Sequence, residues 1–115
     1  MKVKVIQDHP GEGLFPSFPV GTEVKLTGDE CTEFAHWFPC EINGHQTYVP
    51  ESFLADGALV REYNPTELVQ HVGDILEVCE IVNAWLVATN ENGQIGWIPA
   101  EAVVTPFLIS CYHFY

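Results

Sequence analysis

The chain has 115 residues, 47% of them hydrophobic, with 16 acidic side chains against 4 basic ones and a formal net charge of −12. That much apolar material is enough for a packed core and argues against disorder. So negative a surface repels phosphate backbones and anionic lipid, which argues against nucleic-acid and membrane-surface partners and favours basic ones.

In chain order, MKVKVIQDHPG has no apolar run of signal-sequence length. PSFP, residues 16–19, is a PxxP string whose ordinary role is to stiffen a loop. EVKL then alternates apolar and charged residues after Gly21, as a half-buried strand does. INGHQTYV sets Asn43 and Gly44 between two strand-forming runs, a strong hairpin signal, and Pro50 stops the second run because it cannot donate to a ladder. ESFLADGALV reads as a short join, with Leu54 closing one unit and Ala58 opening the next. ILEV and AWLVAT are strand-like, ENGQIGWI repeats the hairpin signal at Asn92 and Gly93, and Pro99 repeats the stop. The apolar tail at residues 106–115 is shorter than the ~20 residues that span a bilayer. It is expected to cover an edge of the second unit.

These landmarks occur twice. VIQDHP echoes LVREYNP, VGTEVKL echoes VGDILEV, Trp37 echoes Trp85, Gly44 echoes Gly93 and YVPESFL echoes WIPAEAV, all in the same order and about 50 residues apart. The expected fold is all-β: two tandem small barrels, residues 1–55 and 58–105, packed at a fixed angle through the short join, followed by the tail.

Cys31, Cys40, Cys79 and Cys111 form no CxxC, and no histidine stands at zinc-ligand spacing, so free thiols in a reducing cytoplasm are expected, without metal or other cofactor. The histidines and acids form no spacing suited to nucleophilic or acid–base work, and no enzyme is expected.

LVREY, ELVQHVGDILEV, AWLVA, NGQIGWIP and AEAVV together resemble an SH3 domain, whose pattern runs ALYDY, ELSF, GD, WW, a hairpin glycine, and a proline leading to a tyrosine. Residues 3–54 resemble a variant of the same domain with a longer insert before Trp37, so the chain looks like a bacterial-style SH3-like pair. The resemblance implies an adaptor whose aromatic groove binds a protein or peptide, proline-rich or basic. It implies a groove of Tyr63, Trp85 and Pro99 in the second copy, where Arg61 and Ala102 replace two of the family's rings. In the first copy it implies His9, Trp37, Pro50 and Phe53, with Gln7 beside them. Acids that would meet a basic ligand are Asp8, Glu12, Glu30 and Glu33 in copy one and Glu62 and Glu67 in copy two. Trp97 and Tyr48 are expected to be structural, and Trp37 and Trp85 to face a partner. A monomer or weak homo-oligomer is expected. Two alternatives remain: a cell-wall-binding module of the SH3b kind, suggested by HWFPCEINGHQTYV, and an acidic nucleic-acid mimic that occupies a basic cleft, suggested by charge.

Overall fold

The computed structural model describes residues 1–105; the expectation for the tail at 106–115 falls outside the described residues. Among the described residues the regular structure is strand and short 3-10 turn, with no α-helix and hence no helix long and apolar enough to cross a membrane.

The strands are β1 (Lys2–Val5), β2 (Lys25–Leu26), β3 (Trp37–Ile42), β4 (His45–Pro50), β5 (Leu54–Ala55) and β6 (Ala58–Leu59). They continue with β7 (Ile75–Val82), β8 (Trp85–Thr89), β9 (Ile95–Pro99) and β10 (Val103–Val104). Each of the two expected proline stops holds: Pro50 and Pro99 end their strands, and 3-10 turns at Glu51–Phe53 and Ala100–Ala102 follow.

The chain divides into two compact units, and they differ from the two expected copies. One is Met1–Glu12 together with the chain from Glu67 onward; the other is Gly13–Thr66. The expected boundaries, 1–55 and 58–105, do not coincide with these units. The reason lies in pairing. Strand β1 inserts antiparallel between β10 and β7 in a five-stranded sheet of order β10-β1-β7-β8-β9, with Val3 opposite Leu76 and Lys4 opposite Val104. Its KVKV alternation leaves both lysines exposed and drives Val3 and Val5 to 1% and 0% exposure. There they join Leu76, Leu86, Ala88 and Ile98 in one core. Burying each valine contributes about 1.5 to 3 kcal/mol.

Residues 58–59, expected to open the second copy, pair within the other unit. Asp56 and Gly57, both at positive φ, make a two-residue turn that pairs β5 with β6. The expected linker is therefore a tight hairpin inside the Gly13–Thr66 unit. Asp-Gly between strand formers is itself a strong hairpin signal. The hairpin carries Leu59 into the core of that unit, and Phe18 and Tyr63 exchange both backbone hydrogen bonds at 2.8 and 2.9 Å. PSFP is thereby tied down through Phe18. In the same unit β2, β3 and β4 form a three-stranded sheet, with the β3–β4 turn at Asn43 and Gly44 as expected.

Strand β7 runs four residues beyond ILEV and carries a bulge between Val78 and Glu80; Asn83 and Ala84, both at positive φ, turn it into β8. The expected hairpin at Asn92 and Gly93 forms as a longer loop. The Asn90 carboxamide oxygen accepts the backbone N–H groups of Asn92 and Gln94 there.

Candidate functional site

The expected site residues regroup with the strands that carry them. In the unit that contains β1, residues 8–10 continue the strand as a loop, and His9 exchanges backbone hydrogen bonds with Gln70 in both directions at 2.9 Å. This aims the imidazole at Glu67, where Nε2 lies 2.7 Å from Oε1. Glu67 is held in turn because the next residue, Leu68, donates its backbone N–H to the Trp97 carbonyl. The imidazole meets the Trp85 ring edge-on, with centroids 5.9 Å apart and planes at 74°. Trp85 opens β8 directly opposite Pro99 at the end of β9.

The result is a cluster of His9, Glu67, Trp85 and Pro99. The His9 and Glu67 side chains are each 15% exposed, the Trp85 ring is half-buried, and Pro99 is buried, so the open part of the cluster is the Trp85 ring with the edges of His9 and Glu67. A carboxylate hydrogen-bonded to an imidazole that packs on an indole brings an acid and a flat ring into one cluster, and a flat ring suits a ridge of extended chain. Ala102, beyond Pro99, is 1% exposed and leaves no ring at that end. Asp8 and Glu12 are exposed on the same segment. One Asp8 oxygen accepts the Val72 backbone N–H at 2.8 Å, and His71 Nδ1 lies 3.9 Å from it.

The other rings assemble in the Gly13–Thr66 unit. Trp37 stands opposite Pro50 in the β3–β4 ladder. Phe53 meets Tyr63 edge-to-face at 5.3 Å, and the Arg61 guanidinium lies over the Phe53 ring at 4.2 Å. The Tyr63 hydroxyl donates to the Tyr48 carbonyl at 2.6 Å. Trp37, Phe53 and Tyr63 are 6%, 3% and 3% exposed, so the expectation of an exposed Trp37 is corrected. Tyr48, expected to pack inward, is 44% exposed, whereas Trp97 is buried as expected. Glu30, Glu33 and Glu62 are exposed in this unit, and the Glu30 carboxylate accepts the His36 backbone N–H. Desolvation, followed by the charges of Glu30 and Glu33, pushes the Cys31 thiol up, against the pull of a backbone hydrogen bond.

Of the expected sets, His9, Trp85 and Pro99 lie in the unit that contains β1, and Trp37, Pro50, Phe53 and Tyr63 lie in the Gly13–Thr66 unit. Within its own unit His9 meets Trp85, and within its own unit Tyr63 meets Phe53. Sequence reasoning also missed two side-chain features. One is the His9–Glu67 pair, whose members lie 58 positions apart. The other is a polar network in which buried Gln70 accepts from Asn90 and donates to Asp74 at 3.0 and 2.8 Å. No spacing rule reaches either. Among the described residues no group of three or more His, Cys, Asp or Glu side chains is placed to hold a metal ion.

No curated protein and no solved structure matches the chain. Residues 62–100 match the SH3 domain family, whose members are protein-interaction modules that bind peptides, generally proline-rich, and this SH3 stretch crosses from one compact unit into the other after Thr66.

Proposed function

We propose that the protein is a non-catalytic adaptor built from two SH3-like units that have exchanged their opening strands, and that its recognition surface is the cluster of His9, Glu67, Trp85 and Pro99. The observation that carries this reading is the imidazole held edge-on to Trp85 by Glu67, beside Pro99. It combines an aromatic face for an extended, proline-rich ridge with a carboxylate for a basic residue next to it. The −12 charge draws basic segments towards it at long range. Gly13–Thr66 is the second SH3-like unit in this reading, supported by the repeated landmarks and by the edge-to-face pair of Phe53 and Tyr63. Free thiols at Cys31, Cys40 and Cys79 suit a reducing cytoplasm.

The test is a titration of the full chain with a panel of proline-rich peptides carrying arginine at one end, followed by tryptophan fluorescence. Trp85→Ala is expected to abolish saturable binding. Glu67→Gln is expected to weaken it about 5- to 30-fold, the loss of roughly 1 to 2 kcal/mol for a partly desolvated charge pair. Undiminished binding by a folded Trp85→Ala chain removes the cluster as the recognition surface.

A further inference from the structure

Strand β1 is a central strand whose chain neighbours lie elsewhere. The Val5 N–H donates to the Asp74 carbonyl, the Gly73 N–H to the Val5 carbonyl and the Ile6 N–H to the Ala102 carbonyl, each at 2.8 Å. All three bonds join the opening segment to residues more than 60 positions along the chain, so the slot between β10 and β7 recognises β1 by its backbone and by two valine side chains, without a local turn to deliver it. The segment leaves its unit through Pro10–Gly13. Gly13 sits at φ +102 with open space where a Cβ would be, and Leu14 beyond it is 91% exposed. Ala58–Leu59, expected to open the second copy, likewise pairs outside it, with β5 in the Gly13–Thr66 unit.

We infer that residues 1–12 are an exchangeable strand, and that a second copy of this chain can insert its Lys2–Val5 between β10 and β7, giving a reciprocally strand-exchanged dimer. Every contact within the slot is identical in the two forms. The balance between them is set by the hinge at Gly13 and by chain concentration, since the tethered strand competes at the millimolar effective concentration typical of short connections. His9 travels on the same segment. In the dimer each cluster is therefore built from two chains, with His9 from one and Glu67, Trp85 and Pro99 from the other. This inference rests on the strand pairing and stands whether or not the cluster binds peptides.

The hinge gives the experiment. Proline cannot adopt the positive φ of residue 13, so Gly13→Pro opposes the fold-back and favours the exchanged form. In light scattering the Gly13→Pro chain is expected at twice the monomer mass. The wild-type chain is expected to give the same species after refolding at high concentration. Strand exchange is distinguished from any other dimer by Lys4→Cys with Val104→Cys, a register pair. Under oxidation these cysteines crosslink within one chain in the monomer and between chains in the exchanged dimer, so the doubled band on a non-reducing gel must depend on both added cysteines. A folded Gly13→Pro chain that stays monomeric at every concentration overturns the inference, as does a dimer crosslinked only within chains. If Gly13→Pro does not fold, the double-cysteine chain with Gly13 retained decides it: no interchain crosslink after concentrated refolding overturns the inference.

Discussion

Ala84 takes the left-handed conformation, φ +71, at the second position of a two-residue turn whose first residue is Asn83 at φ +42. Such turns favour glycine there, because a Cβ crowds the following carbonyl at a cost of roughly 1 to 2 kcal/mol. Ala84→Gly is expected to stabilise the protein by about 0.5 kcal/mol once the extra freedom of glycine in the unfolded chain is set against that relief. A urea midpoint that falls on substitution contradicts it. Cys40 has the opposite character. It is 0% exposed, and burial pushes its thiol up from an ordinary value of 9.0 to about 12. The folded chain keeps this proton where the unfolded chain loses it. The contribution is thus fully present below pH 9 and lost as pH rises from there to about 12, with a slope of at most ~1.4 kcal/mol per pH unit. Urea unfolding at pH 8 and pH 10.5, compared with Cys40→Ala, isolates the thiol's contribution: the wild type is expected to lose more stability over that interval than the variant does.

At the scale of elements, β1 is the strand on which the five-stranded sheet depends, since it lies between β10 and β7 and contributes Val3 and Val5 to the core. Val5→Asp places a carboxylate at a 0% exposed position with no partner and is expected to cost several kcal/mol. The expected pattern under hydrogen exchange is loss of amide protection in β7, β8 and β9 with protection kept in β3 and β4. Uniform loss across both sets is the contrary result. The alternation KVKV was legible as a strand former, as were ILEV, AWLVAT and the hairpin at Asn43 and Gly44. The Asp56–Gly57 hairpin was equally legible by its turn chemistry, but the repeat reading turned the same residues into a join.

At the scale of the molecule, the compact units predict which fragments fold. Residues 13–66 contain β2 to β6 together with Phe18, Phe53 and Tyr63, and are expected to fold alone with the marginal stability of a domain of about 55 residues. Residues 58–105 cover the whole SH3 match yet lack β1, and are expected to stay unfolded until a peptide of residues 1–12 is added. Circular dichroism of the two fragments checks this, and a folded 58–105 fragment without the peptide contradicts the division. The sequence by itself determined the β class, the hairpin at Asn43 and Gly44, and the proline stops. These follow from local preferences: alternation, turn residues and the missing proline N–H. Only the tertiary structure decided which opener completes which unit, and hence that His9 meets Trp85 and Glu67 while Tyr63 meets Phe53. Both openers are short runs held largely by backbone pairing, and a strand slot reads backbone and side-chain size, so nothing local in either opener names the strands it will join.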